Sequence, residues 1–118
     1  MSASPRLLDF APARRKRARV SIATRHNVME EVDGWTLPDC PGLALTRTSS
    51  GASWWVLTHT PTGCSVPGPT GRLSDMARVA TFMASRLDWS ALRDDGSITH
   101  AELRVAQDAA SAAAGMLK

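Results

Sequence analysis

The chain has 118 residues, a length that fits one domain able to bury a modest core without disulfides or metals. A hydrophobic fraction of 43% excludes wholesale disorder, two cysteines are too few for a secreted disulfide scaffold, and no apolar run approaches the roughly 18 residues of a membrane span. The net charge of +3 is unevenly spread: residues 1–19 hold six cations and one anion, while residues 20–118 hold eight cations and ten anions.

Met1 to Phe10 lacks the continuous apolar stretch of a signal peptide, so the expected location is the cytoplasm, with no membrane partner. Pro5 and Pro12 interrupt regular structure, and the like charges of Arg14, Arg15, Lys16, Arg17 and Arg19 repel one another. Residues 1–19 therefore read as an extended, flexible basic arm and residues 20–118 as a single domain. On that reading, deleting residues 1–18 leaves the melting temperature within a few degrees. Leu7, Leu8 and Phe10 form a small apolar cluster within the arm, able to dock on a partner or on the body.

Val20 to Thr24 alternates weakly, as a strand would, and Arg25 to Val32 reads as a short helix or turn. Gly34, Pro38, Pro41 and Gly42 make Asp33 to Gly42 a loop with a brief extended piece at Trp35 to Leu37. Leu43 to Thr48 and Ser53 to Thr60 are β-prone and flank Ser49-Ser50-Gly51-Ala52, the pattern of a hairpin. Pro61-Thr62-Gly63 turns into a short strand, Cys64 to Val66, and Pro67 to Gly71 ends the sheet. Ser74 is placed to cap a helix whose face carries Leu73, Met76, Ala77, Ala80, Met83, Ala84 and Leu87. Thr99 and Glu102 form a capping box ahead of a last helix lined by Leu103, Ala106, Ala110, Ala113 and Leu117. The predicted fold class is α+β: a small antiparallel sheet of three or four strands, packed on one face by two C-terminal helices.

Side chains of a strand alternate, so Trp54 and Trp55 point to opposite sides. Setting Leu45 opposite Trp55, Leu57 opposite Val66 and His59 opposite Cys64 gathers Leu43, Leu45, Trp55, Leu57, Cys64 and Val66 on one face as a bed for the helices. Trp55 then lies inside. Trp54 lies across the sheet, either covered by Val20 and Ile22 or open as an interface anchor.

No residues specify a cofactor or a metal. Cys40, His59, Cys64 and His100 have no compact zinc spacing. Cys64 and His59 have no orienting carboxylate to complete a nucleophilic site. Asp94 to Leu103 resembles half of a calcium loop, but Ala91 and Arg93 stand where the first ligands belong. Phosphate-loop, nucleophile-elbow and His-Glu-x-x-His motifs are missing, so an enzyme is not expected. The clearest lead is the basic run Arg14, Arg15, Lys16, Arg17 and Arg19, five cations in six residues that would neutralise phosphates of DNA or RNA. No aromatic residue interrupts the run, so the sequence gives no sign of base stacking. The alternative is a protein–protein module that binds a host protein or assembles into a larger particle through Trp54, Leu7, Leu8 and Phe10.

The stretch Trp55-Val56-Leu57-Thr58-His59-Thr60-Pro61-Thr62-Gly63, a following helix and then Asp88-Trp89 resemble small uncharacterised proteins of actinobacterial viruses and mobile elements. The resemblance spans residues 54–89. It implies a viral or mobile-element origin and a binding rather than a catalytic role.

Overall fold

The computed structural model describes residues 6–24, 28–47, 54–66, 69–92 and 100–116. Among them, five strands form one antiparallel sheet in chain order: β1 (Lys16–Ala23), β2 (Met29–Thr36), β3 (Leu43–Arg47), β4 (Trp55–His59) and β5 (Cys64–Ser65). Two helices follow, α1 (Leu73–Arg86) and α2 (His100–Met116), with a 3₁₀ turn at Trp89–Ala91 between them. The class is α+β as expected, with more strand than expected.

The extra strand comes from the basic run. Lys16, Arg17 and Arg19 lie in β1, which pairs along its whole length with β2, from Lys16 opposite Thr36 to Ala23 opposite Met29. Like charges in sequence do not repel strongly in a strand, because successive side chains point to opposite faces. The ladder also gives the backbone of each strand hydrogen-bond partners on the other. Residues 29–32, expected in a short helix or turn, belong to β2 for the same reason. The segment before β1 is held to the body rather than extended as an arm. A 3₁₀ turn at Leu7–Asp9 leads to Phe10, whose ring meets Phe82 edge-on at 5.1 Å, and Ala13 is buried with its N–H donated to the Ala77 carbonyl.

In the central hairpin Leu45 pairs with Leu57, Leu43 with His59 and Arg47 with Trp55. The register is two residues from the one expected. A shift of two keeps every side chain on its face, so Leu43, Leu45, Leu57 and Val66 do form the bed for the helices. His59 pairs with Cys64 as expected, although Cys64 is exposed. Trp55 is half-buried against this core.

Met76, Val79, Ala80, Phe82 and Met83 of α1 press on that bed, and Ala109, Ala110 and Ala113 of α2 close against the same cluster. Ser74 is not the cap of α1. Arg72 occupies that position with extended backbone, and Ser74 lies in the first turn with Asp75. The capping box expected at Thr99 and Glu102, and the side chains of Leu103 and Leu117, lie outside the described residues.

The helices cover one face of the sheet, and the other face curls on itself. The N–H of Ala23 in β1 donates to the carbonyl of Gly63, just before β5, at 2.8 Å. The two edges of the sheet thus meet at one end, and the sheet curls. Inside the curl Val20, Ala44, Thr46 and Thr58 are all buried, and the Thr46 and Thr58 hydroxyls bond to each other at 2.9 Å. Gly63 has φ +74°, and a Cβ there would come within 2.6 Å of Met29 and 2.9 Å of the Ala23 nitrogen. Glycine at this turn is what lets β1 close on the β4–β5 connection.

Cys40 and Cys64 are both free thiols, one buried and one exposed. Burial, with a smaller contribution from the Asp39 charge, pushes the Cys40 thiol up to about 11. A thiol reagent at pH 8 should label Cys64 at once and Cys40 only after denaturant is added; equal rates would refute the packing around Cys40. Because the folded state holds that proton more tightly than the unfolded chain, this group's contribution to stability is complete below the ordinary thiol pKa. It should be lost as pH rises toward 11.

Candidate nucleic-acid interface

Folding sorts the five cations of the basic run into different environments. Arg14 is committed to Asp39: its Nη2 lies 2.7 Å from Oδ1 and its Nε 3.0 Å from Oδ2, and its backbone N–H donates to the same carboxylate. The Arg14 guanidinium holds the Asp39 carboxyl below the usual carboxylate range. Arg19 pairs with Asp33 at 3.1 Å and also donates to the Glu31 carbonyl. Arg15, Lys16 and Arg17 make no ion pair among the described residues.

Strand alternation then separates Lys16 from Arg15 and Arg17. Those two converge on Trp35 of β2, with guanidinium carbons 5.5 and 5.6 Å from the ring centroid. Arg17 is the direct cross-strand partner of Trp35. Further across the sheet, Arg47 of β3 lies over its own cross-strand partner, Trp55 of β4, at 5.1 Å. Arg15, Arg17, Trp35, Arg47 and Trp55 therefore make an alternating array of cations and half-buried indole rings on one side of the sheet. A groove of about 1350 Å³ is lined from all five strands mainly by residues that alternate with these and face the other way, among them Ile22, Gly34, Thr46, Val56, Thr58 and Ser65; it also touches Arg17, Trp35, Arg47 and Trp55.

Such an array has a definite chemistry. A guanidinium over an exposed ring is worth about 0.5–1 kcal/mol. A nucleobase on the same ring is worth about 1–3 kcal/mol.

The residues of the alternative interface divide. Leu8 and Trp54 are exposed, at 81% and 48%. Leu7 and Phe10 pack against the main core instead, and the Phe10 and Ala11 carbonyls accept from Arg78 and Thr81. With Trp54 open to solvent, the expected cover by Val20 and Ile22 does not form.

His59 and Cys64 are neighbours, but both imidazole nitrogens are occupied. Nε2 lies 2.7 Å from the Trp89 carbonyl and must donate to it, and Nδ1 is hydrogen-bonded to the Thr62 hydroxyl at 2.9 Å. The ring ties β4 to the 3₁₀ turn and has no nitrogen to offer Cys64. Among the described residues, no three His, Cys, Asp or Glu side chains are grouped to hold a metal, and no helix is long and apolar enough to cross a membrane.

Trp35, Arg47 and Trp55 were not legible in the sequence as site residues. Trp35 stands 18 residues from Arg17, and only the β1–β2 ladder brings them together. Two period-two segments on either side of residues 25–27 were the available signal. No protein-family model, curated protein or solved structure matches the chain.

Proposed function

We propose that the protein is a non-enzymatic accessory binding module of the cytoplasm that binds nucleic acid through β1 and its neighbours. The observation that carries this reading is the convergence of Arg15, Arg17 and Arg47 on Trp35 and Trp55. Cations placed in this way neutralise phosphates and release counterions, and aromatic rings within the same array offer a surface to bases. A viral or mobile-element origin accords with a small accessory binder.

The cations are not equivalent, and that makes the reading testable. Replacing Arg15 and Arg17 by glutamine should weaken binding to an oligonucleotide. It should also flatten the salt dependence, by about 0.7 in log–log slope for each phosphate left without its cation. Replacing Arg14 should change the slope little, because Asp39 already neutralises it. Fluorescence anisotropy across a salt series measures both. Equal effects from Arg14 and Arg15 would mean that the run acts as an undifferentiated charged tail.

A second reading rests on the exposure of Trp54 and Leu8. Large exposed apolar side chains serve as anchors for a protein partner, either a host protein or the next subunit of a larger assembly. Trp54→Ala should then abolish capture of that partner while leaving oligonucleotide affinity unchanged.

A further inference from the structure

We infer that the array takes unpaired, single-stranded nucleic acid, with Trp35 and Trp55 as platforms for two bases that are not stacked on each other. This rests on the nucleic-acid reading and specifies its substrate class. Two features of the site lead to it.

The cations of the array are set around rings, not spread alone over a surface. A duplex needs only the cations, since its base faces are buried in the stack and cannot meet an indole ring. A site built for duplex phosphates gains nothing from placing Arg15 and Arg17 within 6 Å of the Trp35 centroid or Arg47 within 6 Å of the Trp55 centroid.

The spacing of the rings is the second feature. Trp35 pairs with Leu45 of β3, while Trp55 pairs with Arg47, two residues further along β3. The rings therefore stand two strands and two residues apart. From ordinary strand spacing and rise, the two Cα atoms are separated by roughly 12 Å. Stacked nucleotides rise only about 3.4 Å each, so bases resting on both rings must be splayed apart. Only an unpaired chain does this without breaking pairs.

The test compares three labelled ligands with the intact protein at one ionic strength: a 20-nucleotide oligothymidine, an abasic strand with the same number of phosphates, and a 20-base-pair duplex. Oligothymidine should bind at least about fivefold more tightly than the abasic strand, the lower end of what one stacked base contributes, and should quench tryptophan fluorescence. Trp35→Leu should lose about five- to a hundredfold in oligothymidine affinity, and Trp35→Phe should recover most of it. The abasic comparison needs no variant and stands even where Trp35→Leu is poorly folded. Abasic and base-bearing strands binding alike, or a duplex binding as tightly as oligothymidine, would overturn the stacking inference and leave a purely electrostatic site. No binding of any of the three at low salt would instead refute the nucleic-acid reading itself.

Discussion

A chain lacking residues 1–18 is expected not to fold cooperatively. Composition alone makes this segment a disposable basic tail, but the structure ties residues 10–18 to the body. The deletion removes the edge-on contact of Phe10 with Phe82, buried Ala13 with its bond to the Ala77 carbonyl, and the acceptors of Arg78 and Thr81 on α1. It also removes three of the eight residues of β1, those opposite Thr36, Trp35 and Gly34. Each hydrogen bond contributes about 1 kcal/mol net, the aromatic pair about 0.5–1.5 kcal/mol, and burial of a Phe side chain about 1.5–3 kcal/mol when complete. The total is several kcal/mol, comparable with the roughly 5–15 kcal/mol that holds a typical domain together. Thermal melts followed by circular dichroism measure it. A truncated protein that still melts within a few degrees of the full chain would show that residues 6–18 do not bear on stability and that Phe10 and Ala13 do not pack on α1.

Truncation of Trp89 to alanine should cost about 3–5 kcal/mol, the usual loss for a buried large aromatic. Trp89 is 5% exposed, and its indole N–H donates to the Met83 carbonyl at 2.9 Å. Its ring lies edge-on to His59, and its own carbonyl accepts from His59 Nε2. One residue thus ties the end of α1 to β4. Asp88 prepares the turn by accepting from the Ser90 N–H and hydroxyl. Gly42 allows the close approach: with φ +88°, a Cβ there would lie 2.4 Å from the Ser90 nitrogen. Trp54→Ala is the matched comparison, since that ring is exposed and its loss should stay within about 0.5 kcal/mol. Urea denaturation of the two variants separates them. A costlier loss at Trp54 would mean that Trp89 does not occupy the core.

Trp35 and Trp55, the platforms of the proposed site, are half-buried at the margin of the core. That placement fits a recognition surface. The inner edge of each ring is held by packing, so little side-chain freedom is lost on binding. Arginine over a ring also keeps an aromatic surface from lying bare in the unbound protein.

Local chemistry was enough to read the α+β class, the central hairpin, the turn at Pro61-Thr62-Gly63 and the buried face of α1. These depend on neighbours in the chain: alternation places Leu43, Leu45 and Leu57 together, and helical spacing does the same for Met76, Ala80 and Met83. Even an error of two residues in the hairpin register left those faces intact, because the period is two. Residues 16–19 and 29–32 were different. A run of arginines is a weak strand former in isolation, and β2 carries Glu30, Glu31 and Asp33, which are equally weak. Paired, they complement one another, as Arg19 with Asp33 shows, and the ladder satisfies both backbones. The candidate site has the same origin. Trp35, Arg47 and Trp55 are scattered through the chain, and only the cross-strand register sets them beside Arg15 and Arg17. Charge content was therefore a property of the sequence alone. Which cations pair with Asp39 and Asp33, and which gather around rings, was decided by long-range pairing energies that no local pattern encodes.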